Sequence, residues 1–505
     1  VTTAAREPRD AERRTPLVEH PFIYEISTWV WLGELGRRVG GSIGLGEVAA
    51  EEWDAIAALG FDAVWLMGVW ERSPAGIEIA LGNGGLVESF RRTLPDFVAA
   101  DVVGSPYCIR DYQVAAELGG PEGLATARRE LERRGLKLIL DFVPNHVAPD
   151  HAWTSVHPEY FVCGSEQDLE QDPASFVKVG ARVLANGRDP YFPAWPDVVQ
   201  LNAFSPDLRA AVIETLDSIA DQCDGVRCDM AMLAINDVFE RTWGARGGPR
   251  PAEEYWPTVI GAVKTRHPDF VFIAEAYWDM EYALQQQGFS YCYDKRLYDR
   301  LVHEDADSVH GHLTAEIVYQ DGLVRFIENH DEPRAAATFS PGRARAAAVA
   351  TLSQTGARLV YEGQLEGRRV QLPVFLARRP DEEPDADLRA FYERLLGGLQ
   401  GGVFRTGDWQ LGARSGWEGN DTWQNLVCWG WRGDGPSKLV VVNLSDAPAS
   451  GHVSLPWDDL GGREWHLDDT SSGAEYTRSG DDLRGGLYVT LDPWGWHLFD
   501  LTPLH

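Results

Sequence analysis

The chain has 505 residues, 44% of them hydrophobic and 11% aromatic, enough for one very large domain or two to three ordinary ones with a sizeable core. Its net charge of −31, from 77 acidic against 46 basic side chains, makes nucleic-acid backbones and anionic membranes poor partners. No apolar run approaches the roughly 20 residues that a membrane-spanning helix requires, and the polar, alanine-rich start lacks the pattern of a signal peptide, so the expected location is cytoplasmic.

In chain order, residues 1–16 read as a loose N-terminal arm. Residues 22–27 form an apolar strand pattern, 52–59 a helix and 62–67 a second strand. The glycine-rich stretch 68–106 is read as one long loop. A charged helix at 121–134 leads into a third strand at 136–142. Residues 147–200 are irregular, rich in Pro, Asp, Gly and aromatics, and too long for an ordinary connection, so they are read as an inserted domain. The alternation then resumes with a helix at 208–222, a strand at 225–230, a helix at 257–267 and a strand at 270–274. A weaker strand at 289–293, a strand at 323–327, a helix at 343–354 and a strand at 357–361 complete it. Eight strands, most of them separated by helices, predict an α/β fold, a (β/α)8 TIM barrel over 17–398. From 399 to 505, short alternating segments punctuated by Gly, Asp and Pro predict a C-terminal antiparallel β-sandwich domain.

The six cysteines (Cys108, Cys163, Cys223, Cys228, Cys292, Cys428) show no metal-ligand spacing and read as buried free thiols.

Polar residues gather where four strands stop. The third ends in Asp141-Phe142-Val143-Pro144-Asn145-His146, the fourth at Arg227 and Asp229, the fifth at Glu275, and the seventh in Glu328-Asn329-His330-Asp331. Residues two apart on a strand share a face, so Arg227 and Asp229 stand side by side. A charged pair in so apolar a strand is costly without a function or a partner. One buried carboxylate is usually structural. Asp229, Glu275 and Asp331 at the same end of three barrel strands lie where barrel active sites are built.

Such a set suits glycosidic bond cleavage. A retaining glycosidase pairs an ionised carboxylate nucleophile with a protonated carboxyl acid about 5–5.5 Å away. Arg227 favours an ionised Asp229, whereas Glu275 has no cation adjacent in sequence and suits the protonated role.

Four motifs in order, Asp-x-x-x-Asn-His at 141–146, Gly-x-Arg-x-Asp at 225–229, the strand-final Glu275 and Asn-His-Asp at 329–331, resemble those of the α-amylase superfamily, glycoside hydrolase family 13. The resemblance covers the barrel and accounts for the insert (domain B) and the β-rich tail (domain C). It implies Asp229 as nucleophile, Glu275 as general acid/base, and Asp331 as the carboxylate that holds the sugar hydroxyls. It further implies that Tyr107, His146, Arg227 and His330 line the subsite of the cleaved sugar, that Asp141 braces it, and that Arg334 contacts substrate or forms a surface salt bridge. No cofactor is expected; calcium is a secondary reading, resting on Asn145. Trp29, Trp31, Trp70, Trp153 and Trp195 stand on loops where they either stack on sugars or pack.

Several positions depart from common specificity patterns: Met232 and Leu233 where many endo-acting members have Lys-His, Gly104 where many exo-acting ones have aspartate, Met230 after the nucleophile, and Tyr361-Glu362-Gly363-Gln364 after the eighth strand. The expected partner is an α-glucoside or oligosaccharide, hydrolysed by double displacement, with transglycosylase or phosphorylase action as the alternative. A catalytically dead binding module would have lost a carboxylate. A phosphate- or dinucleotide-binding barrel would carry a Gly-rich phosphate loop, and none is present. Linkage, endo or exo action and oligomeric state are not written in the motifs.

Overall fold

The computed structural model describes residues 16–504, so the arm expected at 1–16 lies, but for Pro16, outside the described residues. Eight parallel strands close a barrel: β1 (Phe22–Ser27), β2 (Ala63–Met67), β3 (Lys137–Phe142), β4 (Gly225–Cys228), β5 (Val271–Ala274), β6 (Tyr291–Tyr293), β7 (Leu323–Arg325) and β8 (Ala357–Tyr361). Parallel strands covered on both faces read as continuous apolar runs, and β2, Ala-Val-Trp-Leu-Met, is buried throughout. Alternate residues divide between two cores. Ile23, Trp65, Met67, Ile139, Ile273 and Leu359 fill the barrel, while Val64, Leu66, Leu138, Val226 and Phe272 pack outward in the large cluster that includes the helices.

Register sets the site. Cys228 on β4 pairs with Phe142 on β3 and with Ala274 on β5. One residue further on, Asp229 and Glu275 therefore stand level at the same rim. β4 stops at Cys228, earlier than the sequence suggests, because Met230 turns into the left-handed region at φ 42°. β7 likewise stops at Arg325, whose buried guanidinium is held by Asp294 and Gln320.

The reading of 68–106 as one loop is corrected. The segment holds a short strand (Trp70–Arg72) and two helices, Pro74–Gly82 and Gly84–Thr93. Caps override the glycine content: the Ser73 hydroxyl accepts from Gly76 N–H at 2.9 Å with Pro74 in the first position, and Asn83 Oδ1 accepts from Gly85 N–H at 3.0 Å.

Within 147–200 the chain forms an antiparallel four-stranded sheet with His146–Val147 at one edge, followed by Trp195–Gln200, Arg182–Gly187 and Phe176–Val179. The C-terminal region forms a six-stranded and a three-stranded antiparallel sheet with one core between them, including Leu426, Cys428, Val441, Val453 and Val489. Strand Leu426–Arg432 ties this region to the barrel. Its alternate residues Trp429 and Trp431 join the barrel's cluster, and both indole N–H groups donate to Ser353 O, at 3.0 and 2.9 Å. All six cysteines are free, but Cys163 is exposed rather than buried; it forms an isolated bridge to Leu184 of the inserted sheet. Among the described residues no helix is long and apolar enough to cross a membrane.

Candidate active site

The barrel's C-terminal rim encloses a cavity of about 340 Å³ lined by Asp229, Glu275 and Asp331 together with Tyr107, His146, Trp195 and Phe375, among others. The three carboxylates thus open into one cavity.

Arg227 joins them from below. Its guanidinium is buried to 1% exposure; Nη1 lies 2.7 Å from Asp229 Oδ1, Nη2 2.8 Å from Glu275 Oε2 and 3.8 Å from Asp331 Oδ2. One cation is therefore shared among three carboxyl groups. Burial with so few positive charges drives the Glu275 carboxyl up to about 8, and repulsion from Asp229 and Asp331 adds to the shift. Arg227 and the Met230 N–H, which donates to Glu275 Oε2 at 2.5 Å, oppose it. Tyr277 Oη donates to the other oxygen at 3.2 Å.

Burial also acts to raise Asp331, but the charge on His330, its hydrogen bond and Arg227 outweigh burial and hold this carboxyl below its ordinary range. His330 Nε2 lies 2.8 Å from Asp331 Oδ2 and 2.5 Å from Tyr107 Oη. Its Nδ1 lies 2.5 Å from Glu25 Oε1. Burial alone would lower the imidazole; the two carboxylates overcome it and lift His330 to about 10, so it is a cation at neutral pH. Arg227 also stacks over the Tyr107 ring, 5.1 Å from its centroid.

Asp141 accepts from Trp65 Nε1 at 3.1 Å and from Gly68 N–H at 2.7 Å, and burial raises it to about 6. It lies beneath the cavity rather than in its lining. His146 lines the cavity, and burial lowers its pKa, which keeps it neutral.

Two expectations meet a different arrangement. Arg334 does not reach the cavity and forms no surface bridge. It is buried, donates to Glu328 Oε1 at 2.8 Å and Glu362 O at 2.7 Å, and stacks on Tyr361 at 4.4 Å. An arginine so surrounded is a packing and charge-neutralising element behind the rim. Asn145, the residue on which calcium rests, is locked to Gln200: its Nδ2 donates to Gln200 Oε1 at 3.2 Å, and its Oδ1 accepts from Gln200 Nε2 at 2.9 Å. That oxygen is engaged, and no group of three His, Cys, Asp or Glu poised for a metal occurs among the described residues. The Asn145 environment does not fit a calcium ion.

Of the five tryptophans, only Trp195 lines the cavity. Trp70 donates to Asp141 O at 2.7 Å, Trp29 to Gly68 O at 3.2 Å, Trp31 packs on Trp53, and Trp153 packs on Tyr160. Residues not singled out from sequence complete the site: Glu25, Tyr277, Asp197 and Phe375. Glu25, a carboxylate inside the apolar run Phe22-Ile23-Tyr24-Glu25-Ile26, carried the same signal as Arg227.

Compared with known proteins, residues 49–426 match the model of the alpha-amylase catalytic domain, and the chain belongs to the alpha-amylase family. It is 25% identical over 469 residues to Alpha-amylase MalA of Haloarcula japonica, covering 90% of this chain and 59% of that one. It is 28% identical over 248 residues to the Alpha-1,4-glucan:maltose-1-phosphate maltosyltransferase of Rhodospirillum rubrum, covering 47% of this chain and 30% of that protein. The chain thus spans less than two thirds of the length of both relatives. In fold it is similar to the maltogenic alpha-amylase AmyB from Thermotoga neapolitana, with a TM-score of 0.68 and 17% identity over 96% of this chain and 99% of the other.

Proposed function

We propose that the chain is a retaining α-glycosidase that cleaves α-glucosidic bonds by double displacement, with Asp229 as nucleophile and Glu275 as acid and base. The observation that carries this reading is the one guanidinium shared by two carboxylates of unlike character in one cavity, 2.7 Å from Asp229 and 2.8 Å from Glu275. In the first step an Asp229 oxygen bonds to the anomeric carbon and the glycosidic C–O bond breaks. The departing oxygen keeps the electron pair and takes the Glu275 proton. In the second, Glu275 removes a proton from water, the water oxygen bonds to the anomeric carbon, and Asp229 leaves as carboxylate. A Glu275 carboxyl pushed up to about 8 holds its proton at neutral pH, as the first step requires. Asp331 and Tyr107, which line the cavity, hold the transferred sugar, and His330 behind them holds both in place.

Replacing Asp229 by Asn tests the reading. Turnover of maltose, isomaltose, trehalose, sucrose, maltooligosaccharides and small α-glucosides should fall by about 10⁴-fold or more on whichever of them the wild type cleaves; a variant that keeps wild-type rates refutes it.

A second reading is supported by the maltosyltransferase relative: the same glycosyl-enzyme passes its sugar to another sugar or to phosphate instead of water. Product analysis with and without maltose or inorganic phosphate as acceptor separates the two.

A further inference from the structure

One end of the cavity is walled by two loops from opposite parts of the chain. Residues 101–103 run antiparallel to residues 375–377: Val103 N–H donates to Phe375 O and Ala377 N–H to Asp101 O, both at 2.9 Å, and Val102 bridges Leu376. Val102 and Leu376 are buried with Phe90 and Leu94 beneath the helices Pro74–Gly82 and Gly84–Thr93. Arg378 clamps Asp101 through Nε at 2.6 Å and Nη2 at 2.8 Å, and the buried Arg72 donates to Gly104 O at 2.6 Å. Phe375, on this stitched strap, is 5.8 Å from Phe90 and faces the cavity alongside Ser105, Tyr107 and Asp331. Gln371 of the same strap donates to Asp331 O at 2.5 Å.

Outside the cavity's lining, an aromatic group gathers around Trp278, three residues beyond Glu275 in the chain. Trp278 and Asp279 both take left-handed backbone, φ 62° and 60°, a costly conformation for the bulky Trp278, which stands edge-on to Tyr191 at 4.8 Å. Asp189 accepts from the N–H groups of Tyr191 and Phe192 at 2.7 and 2.9 Å, and this turn leaves their rings 57% and 65% exposed. A fixed turn thus displays two large rings to solvent next to Trp278.

We propose, on the glycosidase reading above, that the Phe375 strap makes the cleft blind behind the transferred sugar, so that the protein releases the terminal unit from the non-reducing end of an oligosaccharide whose remainder lies over Trp278 and Tyr191. The general acid must sit at the glycosidic oxygen, so the leaving part of the chain lies on the Glu275 side. A sugar attached through the 4- or 6-hydroxyl of the transferred ring points the opposite way, past Asp331 and Tyr107, and meets Phe375.

The test compares maltoheptaose with the same chain blocked by a 4,6-O-ethylidene group on its non-reducing residue. The wild type should shorten the free chain stepwise and cut the blocked one at least about tenfold more slowly. Phe375→Ala should narrow that ratio, and Phe375→Leu should narrow it less, which keeps the test usable if the smaller residue compromises folding. Equal rates on both chains, internal fragments appearing first, or an unchanged ratio in both variants overturns the strap's role alone. No cleavage of either chain by the wild type, nor of any other α-glucoside, overturns the glycosidase reading and this proposal with it.

Discussion

Nδ1 of His330 lies 2.5 Å from Oε1 of Glu25, a contact between the loop after β7 and the middle of β1. The carboxylate is wholly buried, and together with Asp331 it holds His330 protonated up to about pH 10 against the pull of burial. A histidine whose folded pKa is raised contributes stability that is fully present below its unfolded value of about 6.5 and is lost as pH rises through about 10. Glu25→Gln should therefore destabilise the protein by about 3–5 kcal/mol at pH 6, the usual cost of breaking a buried pair, with a smaller loss at pH 10. Urea denaturation at the two pH values checks this; an equal loss at both would mean that His330 is not the charged partner.

On the proposed mechanism, Glu275 sets the alkaline limb of activity. With its carboxyl at about 8, kcat/KM should fall about tenfold per pH unit above that value. Tyr277→Phe removes a donor to the ionised form, so the limb should move upward. A limb that stays in place in this variant would show that the hydroxyl does not tune the acid.

The same carboxyl costs stability. A glutamate whose folded pKa lies above its unfolded value of about 4.3 makes folding less favourable as pH rises from that value through about 8. Glu275→Gln should match the wild-type Tm near pH 4 and exceed it by pH 8, while activity drops by about 10²–10⁴-fold. Calorimetry across that range reads the crossover; a Tm difference that does not change with pH would count against a strained acid.

Arg334 is packed behind the rim against Glu328, Glu362 and Tyr361 and does not line the cavity. Arg334→Gln leaves Glu328 buried without its 2.8 Å cation, at a cost of about 3–5 kcal/mol. The folded fraction should keep its KM. A KM raised with stability unchanged would return Arg334 to the substrate.

Because Gln200 occupies the Asn145 oxygen, a chelator should leave Tm unchanged. Added calcium that raises Tm in the wild type but not in Asn145→Ala would contradict this.

The sequence spoke most clearly where a charge interrupts an apolar strand. Arg227 and Asp229 were legible because period-two alternation and barrel geometry together leave one place for such a pair. Glu25 obeyed the same rule, but no companion charge stood two residues away to draw the eye. The helices at 74–93 were hidden because glycines 76, 82, 84 and 85 suggested a loop, while the Ser73-Pro74 and Asn83 caps that start them are short, local signals. Arg334 was misplaced because its neighbours Glu328 and Tyr361 come together only when β7 and β8 are adjacent. Phe375 lies in an irregular stretch, and nothing in its surroundings marks it before the strap is paired.

Arg378 and Asp101, which hold the strap shut, are 277 residues apart. The wall between these loops can therefore be assembled only once residue 378 has been made, about three quarters of the way through these 505 residues. On the blind-cleft proposal, closure of that end is a property of two distant loops together, and trimming either one would open it.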